Sequence, residues 1–196
     1  WGLTIIKSLT ERNFLMPFIT AVFGITAGNI FKVANDSALI FYRIIVKTIG
    51  SADTALLSHI HTSNPQDTAI KHTVVKKVTM QIVRACLPLL GMLGLLIFFP
   101  HMISKEKYVF QLFLIMGISY IGETLCIMYE RTLEVMQEYC SLFIAYIPYG
   151  ICIGTLIYAH TYITSIGLYN FVLIIQCVRL VTCIGTRALV YYRFGI

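Results

Sequence analysis

The chain has 196 residues, of which 58% are hydrophobic and 12% are charged, and its mean hydropathy is +0.80. About 25% of the residues in an ordinary soluble domain are charged, so this composition excludes such a domain and indicates a protein surrounded by lipid. The net charge is +6. Most of the excess lies beside apolar segments, which indicates contact with lipid headgroups rather than with nucleic acid.

Long apolar segments separated by short polar ones follow one another along the chain. A helix needs roughly 20 mostly apolar residues to cross a hydrocarbon core ~30 Å thick, and the segments are too long and continuous for barrel strands. We therefore predict an all-α protein, a single polytopic membrane bundle of about six transmembrane helices. The predicted spans are 13–33, 37–61, 76–100, 108–129, 139–160 and 166–191.

The first two predicted spans differ in character. Span 13–33 is apolar, and its small residues Gly24 and Gly28 would let a neighbouring helix approach closely. Asn35-Asp36-Ser37 is typical of a turn and a helix N-cap, so we expect a new helix to begin there. At 100° per residue, the helix that follows has a polar stripe along one side. Its members are Asp36, Arg43, Lys47, Gly50, Thr54 and His61.

This stripe has two interpretations. It could form the wall of a hydrated cavity in which Arg43 and Lys47 contact an anion, with Thr54 as a further substrate contact. Alternatively, the helix lies partly at the membrane surface, and both cations extend to lipid headgroups. Asp53 is a carboxylate within the same span and is a candidate for coupling transport to an ion.

The later spans carry two more charges at depth, joined by a charged linker over residues 130–138. Arg179 lies halfway along the last span and shares a helix side with Gln176. These two residues could contact an anionic substrate, or Arg179 could pair with Glu123 or Asp53 in the bundle core. Glu123 is correspondingly either a proton-coupling or cation-coupling carboxylate or the partner of an arginine.

No pattern indicates catalysis or metal binding. The chain carries no zinc-protease, nucleophile-elbow, phosphate-loop or dinucleotide-binding motif. His59 and His61 would point about 200° apart on a helix, so they do not converge on a metal. The six cysteines form no CxxC pairs and fit small buried side chains. We expect a protein that is not an enzyme and has no catalytic residues, cofactor or metal.

Lysines and arginines concentrate on one side of the predicted topology, and both chain ends lie on that side. The positive-inside rule therefore predicts an integral membrane protein of the cytoplasmic (inner) membrane with both ends in the cytoplasm. The chain begins with Trp1 and Gly2 rather than with methionine. We therefore expect a fragment, a processed chain or a portion of a longer protein.

The order of several short motifs resembles one family. A first span begins Phe14-Leu15-Met16-Pro17, a polar-faced helix carries Tyr42 and Arg43, and Tyr129-Glu130-Arg131-Thr132-Leu133 follows a later span. Together these features resemble the carboxy-terminal six-helix lobe of the multidrug/oligosaccharidyl-lipid/polysaccharide flippase superfamily, in particular its polysaccharide and lipid-linked-oligosaccharide flippases. The resemblance implies a substrate cavity between two lobes, alternating access, and a lipid pyrophosphate bound by Arg43, Lys47 and Arg179.

The leading hypothesis is therefore a transporter lobe that flips an anionic lipid-linked oligosaccharide or polysaccharide precursor. Its expected partners are that substrate, membrane lipids, and a second lobe or other membrane subunits, with no nucleic acid. One alternative is a non-catalytic structural or assembly subunit of a larger membrane complex. Another is a cation-coupled multidrug exporter of the same superfamily, which an acidic cavity would favour.

Overall fold

A computed structural model of the chain describes residues 12–45, 51–63, 68–98 and 107–195, and the structural findings refer to these ranges. The described residues form seven helices and no strands. The helices are α1 Arg12–Phe23, α2 Ile25–Ile45, α3 Ser51–Ser63, α4 Thr68–Phe98, α5 Lys107–Val135, α6 Tyr139–Tyr158 and α7 His160–Phe194.

Four of these helices, α4 to α7, are long and apolar enough to cross a membrane. Their spanning segments are Ala69–Phe98, Lys107–Val135, Tyr139–Tyr158 and Thr164–Phe194. Large apolar side chains such as Leu87, Leu95 and Ile151 remain more than 60% exposed on them. Exposure of this kind suits a lipid solvent, so the predicted helical membrane protein is confirmed at this level.

Helix α5 occupies the centre of the bundle. In its most apolar stretch 61% of the residues are buried, against 17% in α4, 33% in α6 and 28% in α7. It packs against α2, α3, α4, α6 and α7, most extensively against α2 and α7. A side chain on almost any face of α5 therefore lies inside protein rather than in lipid.

The first predicted span is interrupted. Gly24 has a φ of +91°, in the left-handed region that favours glycine, and it separates α1 from α2 within the predicted span 13–33. Beyond this point Gly28 lies directly against the Thr20 side chain. Gly28 thus permits a close approach by the immediately preceding helix, whereas no atom lies within 4 Å of a side-chain carbon placed on Gly24.

The turn and N-cap expected at Asn35-Asp36-Ser37 are wrong, because all three residues lie inside α2. Asn35 is only 3% exposed, and its side chain is hydrogen-bonded to α5, so a tertiary contact overrides the local turn preference. The predicted helix 37–61 is likewise not one described helix. It falls on α2 and α3, and residues 46–50 between them lie outside the described residues.

For helices α4 to α7, most of the predicted ends lie within a few residues of the observed ends. Helix α5 continues to Val135, through most of the predicted charged linker, with Arg131 and Glu134 paired along the helix. Helix α7 begins at His160 and contains one non-helical residue, Gly167. Pro148 lies inside α6, which is described as a single helix from Tyr139 to Tyr158.

The contact between α1 and α2 can be tested by giving Gly28 a side chain. A methyl group there would lie 3.2 Å from Thr20 Cβ and overlap Thr20 Oγ1, which donates a 2.9 Å hydrogen bond to the Met16 carbonyl. Gly28→Ala should cost about 1–3 kcal/mol, which lowers the apparent melting temperature in detergent by roughly 2–4 °C per kcal/mol. Gly94→Ala is the matched control, since no atom lies within 4 Å of the added carbon. Equal effects of the two variants would contradict the close packing.

Candidate functional site

Two opposite charges face each other between the most central helices. Nη2 of Arg179 on α7 lies 2.7 Å from Oε2 of Glu123 on α5, and both side chains are more than 80% buried. Each residue lies near the middle of its spanning segment. Neither side chain can reach the headgroup level as easily as one near a helix end could. The structure therefore shows the ion pair that was one of the two alternatives for these residues.

Aromatic and amide side chains surround this ion pair. The Arg179 guanidinium lies over the Tyr120 ring, 4.9 Å from its centroid, in a cation–π contact. Tyr120 in turn donates a 2.6 Å hydrogen bond from its hydroxyl to Oδ1 of Asn35 on α2. Its ring also packs against that of Tyr42, with the centroids 5.8 Å apart. We call Asn35, Tyr120, Glu123 and Arg179 the mid-bundle polar cluster, which joins α2, α5 and α7.

Several buried polar atoms beside this cluster have no protein partner among the described residues. They are Oγ of Ser119, the hydroxyl oxygen of Tyr149, Oε1 of Gln176 and Nδ2 of Asn35. The four residues are each at most 3% exposed. A buried polar group left without a hydrogen bond costs about 1–3 kcal/mol, and water commonly supplies the missing bonds. The atoms therefore indicate a polar interior able to hold water or polar groups of a ligand.

Helix geometry directs these atoms towards the ion pair. Ser119 precedes Glu123 by one turn on α5, and Gln176 precedes Arg179 by one turn on α7, so each shares a helix side with a charge. Tyr149 approaches from α6 and interacts electrostatically with Arg179. The interior consequently presents one cation, one carboxylate and several neutral hydrogen-bonding groups at the same depth.

The free-energy cost of an unpaired charge in the membrane determines which changes of partner Glu123 and Arg179 can make. A charge at the centre of a bilayer costs several kcal/mol, and an opposite charge in contact offsets much of this cost. An incoming anion could replace Glu123 as the partner of Arg179, and protonation of Glu123 would weaken the existing contact. If Glu123 takes up a proton as the anion binds Arg179, the arrangement can exchange one partner for another without leaving a bare charge in the membrane.

The sequence-predicted site residues are only partly brought together. Gln176 and Arg179 lie on one side of α7, as predicted. Arg43 is exposed near the end of α2, whereas Lys47 lies outside the described residues. Asp53 and Thr54 belong to α3, but their side chains are outside the described part of the structure. The continuous polar stripe from α2 to α3 therefore stays a prediction.

Sequence reasoning missed three members of this interior: Asn35, Tyr120 and Tyr149. Asn35 was assigned to a turn, and Tyr120 and Tyr149 were not among the candidate site residues. Tyr120 could have been predicted to face the interior, because it lies three residues before Glu123 and therefore on the same side of the helix. Polar side chains in the middle of apolar spans are expensive and usually face the bundle interior.

Metal and thiol chemistry have no visible basis in the described residues. No group of three or more His, Cys, Asp or Glu side chains there is placed to hold a metal ion. All six cysteines are free, and only Cys86 among them is fully buried. The expected small buried side chain is therefore confirmed for Cys86, whereas Cys140 and Cys177 are exposed.

Comparison with protein families, with curated proteins and with solved structures finds no match to this chain. The resemblance to the flippase superfamily therefore rests on the sequence motifs alone. The membrane assignment rests on the four long apolar helices, and the site rests on its own geometry.

The ion pair predicts a specific pattern of stabilities. Glu123→Gln and Arg179→Gln each leave one buried charge without its partner, so each should destabilise the protein by about 3–5 kcal/mol. The double variant removes both charges and should recover much of that loss. Apparent melting temperatures of the purified protein measure this coupling, with Arg43→Gln as an exposed-arginine control. Additive losses in the double variant would contradict the pairing.

Proposed function

We propose that the chain is a transporter lobe that flips an anionic lipid-linked oligosaccharide or polysaccharide precursor by alternating access. The observation that carries the proposal is the ion pair at mid-span, bordered by buried polar atoms without protein partners. Ionisable residues inside a membrane bundle commonly mark the path of a substrate or an ion. A bundle that needed only stability could fill the same space with apolar side chains at little cost.

The substrate class follows from the chemistry of the two charges. A guanidinium binds two phosphate oxygens at once, so the phosphate or pyrophosphate of a lipid-linked sugar suits Arg179. In the proposed cycle this group replaces Glu123 at Arg179, while the polar interior receives the sugar and the lipid tail stays in the bilayer. Departure of the substrate restores the Glu123–Arg179 pair.

The other predicted site residues take supporting roles in this proposal. Gln176 lies one turn from Arg179 and offers a neutral hydrogen-bonding group beside the phosphate. Arg43, Lys47 and Thr54 would form a basic approach to the interior, and Asp53 joins Glu123 as a candidate coupling carboxylate. Protonation of Glu123 would free Arg179 for the substrate, which gives a route for coupling to a proton gradient.

The surrounding assembly is part of the same proposal. Four helices are long and apolar enough to cross the bilayer, and about six crossings would require the part of the chain before α4 to supply the others. Both chain ends would lie in the cytoplasm, in the cytoplasmic membrane, as the distribution of basic residues predicts. A second lobe would face this one across the substrate cavity and rock against it.

One observation favours a second candidate function, that of a structural subunit in a larger membrane complex. Helix α4 is the least buried spanning helix, with large apolar side chains such as Met92, Leu95 and Phe98 exposed along it. Another membrane subunit could pack against that side as well as lipid can. Such a subunit would co-purify with its partners in fixed ratio, and changing Arg179 would impair assembly rather than flux.

A flipping assay tests the transport proposal. The protein, together with its second lobe, would be reconstituted in liposomes with a polyprenyl-diphosphate-linked saccharide, and sugar exposed at the outer surface would be measured over time. Arg179→Gln should slow flipping about tenfold or more, the loss expected for one hydrogen-bonded charge contact. Glu123→Gln should instead change the dependence of flipping on pH, since the titrating group is removed.

The double variant Glu123→Gln/Arg179→Gln separates substrate binding from structure. It restores charge balance in the interior and should recover stability, yet it should flip as slowly as Arg179→Gln alone. Recovery of flipping together with stability would show that Arg179 is a structural partner only. That result would overturn the proposal for this site.

A further inference from the structure

A groove lies away from the mid-bundle polar cluster, where the first half of α4 meets the end of α5. It is open, has a volume of about 170 Å³, and most of its surface is apolar. Its polar side chains are His72, Lys76, Thr79 and Tyr129, and its apolar side chains are Val75, Met80 and Val83. We call these seven residues the α4–α5 groove.

The polar part of the groove is cationic and rich in hydrogen-bond donors. His72 and Lys76 are exposed. Thr79 Oγ1 is buried and has no partner among the described residues, so its hydroxyl is a candidate donor to a molecule in the groove. Arg187 lies over the Tyr129 ring, 5.6 Å from its centroid, and adds a second fixed cation close by.

Two carboxylates beside the α5 side of this groove, Glu130 and Glu134, have partners among the described residues. Glu130 Oε1 accepts a 3.2 Å hydrogen bond from the Tyr146 hydroxyl, which draws it towards α6. Glu134 lies 3.6 Å from Arg131 in an ion pair along α5. Neither of these two contacts involves Lys76.

Polarity changes along the groove in the order found in a phospholipid. His72 and Lys76 lie in the first turns of the spanning segment Ala69–Phe98, whereas Val83 lies further into it. At about 1.5 Å of rise per residue, His72 and Val83 are separated by roughly 16 Å along the helix. A phospholipid likewise places its phosphate at the interface and its acyl chains towards the membrane centre.

We propose that the α4–α5 groove is a binding site for an anionic phospholipid of the surrounding bilayer. Lys76 and His72 hold the headgroup phosphate, and the Thr79 hydroxyl donates to a phosphate or ester oxygen. Met80 and Val83 contact the beginning of an acyl chain. The site uses residues outside the mid-bundle polar cluster and does not depend on the proposed transport function.

Lipid binding can be measured on the full chain by native mass spectrometry in detergent, with phosphatidylglycerol and phosphatidylcholine titrated separately. One basic residue near a membrane surface contributes about 1 kcal/mol to anionic lipid binding, so Lys76→Gln should weaken phosphatidylglycerol binding about fivefold. Thr79→Val should also weaken it, whereas Lys76→Arg should retain it. Phosphatidylcholine, which is zwitterionic, should bind more weakly to the unchanged protein.

Lys77→Gln is the matched control, because Lys77 is adjacent and exposed and carries the same charge, but it does not line this groove. General attraction by the basic stretch would make both glutamine variants weaken binding equally, and that result would overturn the site. Equal affinities for the two lipids would overturn it as well. Full competition by soluble glycerol phosphate would assign the groove to a free phosphate instead. None of these measurements uses flipping, so the outcome is separate from that of the transport assay.

Discussion

The contact between Glu123 and Arg179 constrains the structure more than any other described interaction. Two charges at mid-span can be tolerated only if they meet, so α5 and α7 are held in one register that brings them within 2.7 Å. The same requirement explains why polar and aromatic side chains surround the two charges. Tyr120 covers one face of the guanidinium and is itself fixed by Asn35, which links α2 to the pair. A single electrostatic necessity thus positions three helices.

The central place of α5 follows from this arrangement. The helix carries Tyr120 and Glu123, so it has to be enclosed by protein at that depth, and it is the most buried of the four spanning helices. Helix α4 also carries a charge at the middle of its spanning segment, Arg84, but this residue is exposed rather than enclosed by protein. Most of the surface of α4 is likewise open, including the basic residues Lys76 and Lys77 near its beginning. The polar interior therefore forms between α2, α5 and α7, and α4 contributes little to it.

Much of the fold could be predicted from the sequence, because the apolar segments indicate where the long helices lie. Helices α4 to α7 agree with four predicted spans, and the Glu123–Arg179 pair was one of two stated alternatives. The break at Gly24 could not be predicted, since a glycine in an apolar helix fits a small packing residue equally well. The turn expected at Asn35 was wrong for a related reason. Its turn preference is local, whereas its hydrogen bond to Tyr120 joins residues far apart in the chain.

In the proposed transport function, the ion pair would also limit which substrates the interior could admit. Separating the two charges without replacement would cost about 3–5 kcal/mol, so a neutral amphiphile entering the interior would meet that cost in full. An anion offsets it by taking over Arg179, and a proton on Glu123 offsets the remainder. Selectivity for negative charge would then arise from the resting contact itself, with no need for a surplus of cations in the cavity. The basic stretch of α4 would serve a separate purpose, which is to hold the protein against the anionic lipids around it.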